Sequence, residues 1–349
     1  MFILKNKGIA IRPTLTFCDM MKKLYFSTVI YLVSISMLGA QTYRKEEPFA
    51  HTYSIVAMDT ATGEMGVGVQ SHWFSVGTLV AWGQSGVGVV ATQSFVNPAF
   101  GPKGLELMAS GMTAPEALKK LVNADAGQVY RQVAFLDTEG RVDAFTGDQC
   151  IAEAGHYVGE DFSVQANMML NDKVVPAMKK AFEESAGKPL SERILLALKA
   201  AEAVGGDIRG KQSAAMIVVG PEKSEEVWND KRVDLRVDDH PEPLEELERL
   251  LKVHQAYEYM NKGDLAVEEG NMEKALENYG QAETMMPDNL EMKYWKAVSL
   301  ANNNLIDQAL PIFKEVFRAD PNWRTLTERL PDSGLLSVKD KALKKILAQ

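Results

Sequence analysis

From residue 52 onward, β-branched and apolar residues gather into short runs separated by turn residues. Thr52 to Asp59 and Glu64 to Ser71 are two such runs, joined by Thr60-Ala-Thr-Gly63, and they predict a hairpin. Gly86-Val-Gly-Val-Val-Ala-Thr-Gln93 predicts another strand. Two helices are expected next, the second opened by Thr113-Ala-Pro-Glu116, a capping box with proline in the first turn. Arg131 to Asp137, the turn Thr138-Glu-Gly140 and Arg141 to Thr146 predict a second hairpin, and Phe162 to Leu170 a further strand. The period then changes. Val174, Val175, Met178, Ala181 and Phe182 fall at helical spacing, as do Leu190, Ile194, Leu195, Leu198 and Ala201. Gln212 to Val219 and Arg232 to Val237 return to strands, and Pro241 opens a charged helix that is expected to end near His254.

The order is therefore strands, helices, strands, helices, strands. It lacks the regular β-α alternation of a parallel doubly wound sheet. Two antiparallel sheets packed face to face and covered by helices fit better: an α+β chain with an αββα sandwich over residues 52–254. The last third repeats itself. Gly263, Ala275, Tyr279 and Pro287 recur 34 residues later as Ala297, Ala309, Phe313 and Pro321. Small residues at helix crossings with a closing proline at this period are the tetratricopeptide signature. Ala282 fits the first repeat, and Val316 stands in its place in the second. Residues 255–349 read as a helical repeat domain, with helix 241–254 and the tail 322–348 capping an array too short to bury a core alone.

The segment ahead of residue 52 has a different character. Met21-Lys-Lys23 is a short basic start, Leu24 to Leu38 is apolar but for Ser and Thr, and Gly39-Ala40 precedes Gln41. This pattern predicts a secretory signal peptide over 1–40, cut after Ala40, with Met21 as an alternative start. Residues 41–51 read as a flexible polar lead. The apolar run is too short to favour a membrane span, so a periplasmic or secreted protein is expected. The chain of 349 residues carries a net charge of −9, and residues 1–40 hold five basic residues against one acid. The exported chain is then more acidic still, which argues against nucleic acid or an anionic membrane as partner. Cys18 falls in the removed segment, leaving Cys150 alone and no internal disulfide.

Three segments load polar groups onto strand ends: Gly205 to Val219, Ala91 to Pro98 and Val233 to His240. Buried polar groups cost desolvation unless paired, so this loading asks for a reason. Gln93, Asn97, Asn167, Gln212 and Ser213 could line a pocket and aim donors at an oxyanion. They could equally cap turns and strand ends, and Asn97 before Pro98 suits a turn. Arg209, Asp207, Asp234, Arg236, Asp238 and Asp239 mix both signs; they could hold a substrate carboxylate or lock strands together. Asp234 and Arg236 share one strand face and form the best pair for such a network. Cys150 reads as a small packed thiol, with His156 the nearest basic group in sequence. The five histidines show no paired-ligand spacing, so no metal is expected. Asp238-Asp239-His240 fits a helix cap ahead of Pro241. Gly66-Val-Gly68 and Gly86-Val-Gly88 lack the third glycine of a dinucleotide loop, so no cofactor is expected and close strand packing explains them.

Residues 52–59 (TYSIVAMD), 91–101 (ATQSFVNPAFG), 145–150 (FTGDQC), 205–219 and 233–245 (VDLRVDDHPEPLE) together resemble the domain-of-unknown-function family ten-twenty-eight, over roughly residues 52–252. The family usually shows Gly where Ala166 stands. It is grouped by its αββα fold with the N-terminal nucleophile (Ntn) hydrolases. That grouping implies amide-bond chemistry by a Thr, Ser or Cys opening the first strand. Under this resemblance Thr52 is the leading nucleophile, with its own α-amine, of reference pKa roughly 7.7–8, as base. The chain would have to be cut between His51 and Thr52. Ser54 shares the strand face of Thr52, and Asn167 and Ser213 complete the catalytic candidates. Gln93, Asn97, Arg209, Gln212, Asp234 and Arg236 are the substrate-binding candidates. The expectation is an exported Ntn-type amidohydrolase or peptidase acting on a small-molecule or peptide amide, whose repeats dock a protein partner. The alternatives are a non-catalytic envelope ligand-binding or scaffold protein, and an Ntn-fold enzyme without a terminal nucleophile, doing cyclic-amide chemistry.

Overall fold

The computed structural model describes residues 49–50 and 52–349; the expected signal peptide and most of the expected lead lie outside them. The chain runs through strands β1 (Phe49–Ala50), β2 (Thr52–Met58), β3 (Met65–Ser71), β4 (Ala81–Gln84) and β5 (Gly88–Phe95). Helices α1 (Phe100–Ala109) and α2 (Ala114–Ala124) follow, then strands β6 (Arg131–Asp137), β7 (Val142–Thr146), β8 (Gly155–Val158) and β9 (Phe162–Ala166). Helices α3 (Val174–Glu184) and α4 (Leu190–Ala203) precede the last strands, β10 (Ser213–Val219) and β11 (Lys231–Val237).

These elements build an αββα sandwich. One sheet has the order β1-β5-β6-β7, with β4 also paired to β5; the other has the order β11-β10-β3-β2-β9-β8. The pairings are antiparallel throughout. Side chains alternate across each strand, so each strand serves two layers. In β2, Tyr53, Ile55 and Ala57 pack with Met178, Phe182, Ile194 and Leu198 of the helices on the outer face. Val56 packs instead between the sheets with Val67, Val89, Ala134 and Ile217. On the far side, Val90, Val133 and Phe135 meet Leu105, Met108 and Leu118 of α1 and α2. Thr113 caps α2 through a capping box with Glu116. Gly66 and Gly68 are close-packing positions: a Cβ there would lie 2.5 and 2.3 Å from Ile194 of α4.

Four elements differ from expectation. β4 and β8 are strands the patterning does not predict: Gly83 interrupts the short run of β4, and Gly155-His-Tyr-Val158 is an exposed edge. The strand expected over 162–170 stops at Ala166, where Met168 turns the chain with φ +60°. Helix α5 (Pro243–Glu268) starts two residues later than expected and does not end near His254. No proline or cap interrupts it, so the expected boundary at 254/255 lies inside one helix. Leu244, Leu247 and Leu251 pack on the sandwich, and Ala256, Met260 and Ala266 join the repeats.

The repeat region continues with α6 (Met272–Met285), α7 (Leu290–Asn302), α8 (Ile306–Ala319), α9 (Asn322–Arg329) and α10 (Asp340–Leu347). The signature positions Ala275, Tyr279, Ala282, Ala297, Ala309, Phe313 and Val316 are all buried. Gly263 lets α5 cross α6, since a Cβ there would meet the Tyr279 ring at 2.4 Å. From the tail, Leu330, Leu336 and Ile346 enter the second repeat's core. No helix among the described residues is long and apolar enough to cross a membrane.

Candidate functional site

The space between the sheets changes from apolar to polar at the end where β2 begins. Thr52, Ser54, Ser71, Gln93, Gln132, Ser163, Gln165, Asn167 and Ser213 are all fully buried there. Register explains the grouping. Thr52 and Ser213 both pair with Ser71, so three hydroxyl residues stand in one row across β10, β3 and β2, strands about 4.8 Å apart. Ser54 pairs with Gln165 on β9, and Gln93 with Gln132 on β5 and β6.

The amides tie the two sheets together. Ser54 Oγ donates to Gln93 Oε1 at 2.6 Å and accepts from Gln165 Nε2 at 2.6 Å. Gln93 Nε2 reaches Gln132 Oε1 at 2.7 Å and the Thr52 carbonyl at 3.2 Å. Asn167 Nδ2 donates to the same Gln132 oxygen at 2.8 Å and to the Thr52 carbonyl at 3.4 Å. The Asn167 backbone N–H also reaches that carbonyl, at 3.1 Å. Gln132 Nε2 donates onward to Thr146 Oγ1 at 2.8 Å and to the Ala166 carbonyl at 2.9 Å. Thr146 Oγ1 stands 2.8 Å from His156 Nδ1, at the surface. Ser163 Oγ donates to Gln165 Oε1 at 3.0 Å. Satisfied polar networks of this kind fix one arrangement of the core.

The surrounding loops are strained and partly apolar. Four non-glycine residues at this end have positive φ: Ser94 at +73°, Glu153 at +53°, Met168 at +60° and Asp239 at +52°. Such backbone persists where the surroundings over-determine it, and it gathers at sites. The loops are laced together: the Met168 N–H donates to the Ile151 carbonyl, Ile208 to Met168, Leu170 to Gly206, and Asp239 to Phe74. Phe74, Leu170 and Ile208 leave their side chains exposed on the rim.

Several expected residues serve this frame instead of the amide cluster. Ser213 Oγ donates to the Trp73 carbonyl at 2.5 Å and accepts from Val76 N–H at 3.0 Å, which pins the chain leaving β3. Asn97 takes its turn reading: its Oδ1 accepts from Ala99 N–H at 3.2 Å, and it lines a cavity of about 160 Å³ with Lys103 and Asp125. Arg209 grips the fully buried Asp207 carboxylate, Nη2 to Oδ2 at 2.6 Å, and His72 N–H completes that group at 3.3 Å. Gln212 Nε2 donates to Asp239 Oδ1 at 3.0 Å. Asp234 and Arg236 pair at 3.4 Å on the edge strand β11, and Asp234 also meets Lys231 at 2.5 Å. They belong to the strand-locking network, three strands from Thr52. Cys150 Sγ donates to the Arg131 carbonyl at 3.4 Å, and burial pushes its thiol up, away from nucleophilic use at neutral pH.

Two buried ionisable groups were not foreseen. Arg131 lies 2% exposed and binds Asp125 at 2.7 Å and the Phe95 carbonyl at 2.6 Å. Tyr53 OH donates to Glu202 Oε2 at 2.8 Å; burial first, then Glu202 and Asp207, raises its pKa well above the usual phenol. Gln132, Gln165 and Ser71 were also missed, although each is a polar residue at an inward position of an otherwise apolar strand. No group of three or more His, Cys, Asp or Glu able to hold a metal occurs among the described residues.

A sequence model described as a family of unknown function (DUF1028) matches residues 52–247, more than half of the chain. The chain belongs to this family. A tetratricopeptide-repeat model matches residues 266–330 of this DUF1028 protein. The crystal structure of protein SPO2555 from Silicibacter pomeroyi, itself a DUF1028 protein, is similar to it with 31% identity and a TM-score of 0.52. That similarity covers 58% of this chain and 85% of the other. No curated protein matches the chain at a significant level.

Proposed function

We propose that the protein is an exported hydrolase of the N-terminal-nucleophile kind, acting on an amide bond after the chain is cut between His51 and Thr52. One observation carries this reading. Thr52 opens strand β2 on its inter-sheet face, and the side-chain amides of Gln93 and Asn167 both lie within 3.4 Å of its carbonyl. Uncut, the Thr52 nitrogen is a peptide N–H without basicity. Cut, it becomes an amine of pKa roughly 7.7–8. That amine takes the Thr52 hydroxyl proton as the oxygen attacks the substrate carbonyl carbon. The developing oxyanion needs preorganised donors, and Asn167 and Gln93 supply them by releasing amide N–H groups now given to Gln132 and the Thr52 carbonyl. Collapse breaks the C–N bond, and the departing amine leaves with the proton. Water then hydrolyses the ester on Thr52. Ser54 acts as a positioning residue, held between Gln93 and Gln165. The repeats suit docking of a protein partner.

The test is covalent labelling. A chain beginning at Thr52 should react with a β-lactone probe at Thr52, and the Thr52→Ala chain should not. A second reading, a non-catalytic ligand-binding or scaffold protein, is favoured by the full burial of Thr52 and its polar neighbours in the uncut chain. Failure of the cut chain to label would leave that reading standing. Amidase activity with residues 41–51 still attached would point to terminus-independent chemistry.

A further inference from the structure

The repeats hold a cavity of about 450 Å³ lined by residues of α5, α6 and α7 and by Leu335 of the tail. This falls in the size range of ligand pockets. Its wall carries two carboxylates, Asp264 and Glu268. Neither is ion-paired with a lysine or arginine among the described residues. The lysines of neighbouring helices are engaged elsewhere: Lys293 with Glu315, Lys296 with Glu283 and Lys274 with Glu269. Tyr279 OH donates to Asp264 Oδ1 at 2.7 Å, which orients that carboxylate. Ser299 lines the same cavity; it is 8% exposed, and its hydroxyl lies against the Tyr279 hydroxyl. Trp295 adds an aromatic wall, with Val267 and Val298 beside it.

We infer that this cavity is a docking pocket for an arginine side chain presented by an extended segment of a partner protein. The inference rests on the repeats being a protein-docking surface and names what they recognise. A guanidinium carries five N–H donors in a planar fork, matching the two carboxylates of Asp264 and Glu268. Its plane can stack on Trp295, and its methylene stem suits Val267, Val298 and Leu335. An acidic partner segment would meet repulsion from Asp264 and Glu268.

The experiment is calorimetric titration of the full chain with the peptide acetyl-Ala-Leu-Arg-Leu-Ala-amide and with its citrulline counterpart, which keeps the shape and loses the charge. The arginine peptide should bind at least about tenfold tighter, because charge-assisted hydrogen bonds are roughly twice as strong as neutral ones. Raising salt should weaken it. Glu268→Gln and Asp264→Asn, both near-isosteric, should each bring the arginine peptide toward the citrulline level, with thermal melts confirming that the variants fold. Glu139→Gln, on the β6–β7 turn, should leave binding unchanged. Equal binding of the two peptides keeps the groove as a docking surface but overturns the arginine pocket. Binding of neither peptide overturns the pocket as well, and capture of no partner by the full repeats would then remove the docking reading too.

Discussion

Gln132 joins more of the buried cluster than any residue singled out from sequence. Its oxygen accepts from both Gln93 and Asn167, and its nitrogen supplies Thr146 and the Ala166 carbonyl. Gln132→Leu leaves several buried groups unpaired, each costing about 1–3 kcal/mol. Urea unfolding should show a loss of at least about 3 kcal/mol; a loss under about 0.5 kcal/mol would mean that the cluster is not closed as described. Arg131 next to it tests the charge side. Burial works to raise the Asp125 pKa, but the hydrogen bond from Arg131, the Gly127 N–H and the Arg131 charge outweigh it and hold the carboxyl below its usual range. A carboxyl depressed in the folded state adds stability above its unfolded pKa of about 3.9, lost as pH falls through the folded value. Asp125→Asn should therefore destabilise the protein by roughly 3 kcal/mol at pH 7 and converge with the parent below that window. A gap that persists in acid would contradict the pairing. At this scale Gln93, Asn167 and Ser54 were legible, because a polar residue inside an apolar strand needs a partner. Gln132 and Gln165 were not, because only the register between strands far apart in sequence shows where those partners are. For Ser213, Asn97, Gln212, Asp234 and Arg236 the sequence left a structural role and a site role both open. Their partners are local backbone or edge-strand charges, which composition cannot separate from substrate contacts.

At the scale of elements, Gly66-Val-Gly68 decides how closely α4 lies on β3. A Cβ at residue 68 would stand 2.3 Å from Ile194 Cγ2 and 3.2 Å from Leu198. Gly68→Ala should cost about 1–3 kcal/mol as an overpacked contact. Adding Ile194→Ala removes the clashing group, so the double variant should be less destabilised than the sum of its singles. Additive costs would show that the helix does not bear on that glycine. The sequence patterns located most strands and helices because their periods are 2 and 3.6. They failed where packing, not period, decides. β4 is short and β8 is an exposed edge. Helix α5 is continuous through residue 254 because its first half packs on the sandwich and its second half on the repeats. Lys252→Pro, at an exposed position of α5, should cost about 3 kcal/mol by removing a helical hydrogen bond and clashing with the previous turn. A change below about 1 kcal/mol in denaturant unfolding would indicate a hinge at that point.

Across the whole molecule, the mouth of the sandwich is where the chain changes sheets. β1 pairs with β5 in one sheet through Phe49↔Phe95 and Ala50↔Ser94, and β2 begins in the other at Thr52. The chain therefore passes from one sheet to the other between Ala50 and Thr52. A cut there leaves β1 held by a two-residue pairing and turns the buried start of β2 into a chain terminus. The αββα class and the repeats were readable from element order and the 34-residue period, whereas this crossing was not, because residues 41–51 carry no strand pattern of their own. The central claim is that this crossing is opened to make Thr52 a nucleophile. The intact mass of the protein after export from a native-like host tests it most directly. The account predicts a mature chain that begins at Thr52. A mature chain beginning at Gln41, with His51 still joined to Thr52, would contradict it.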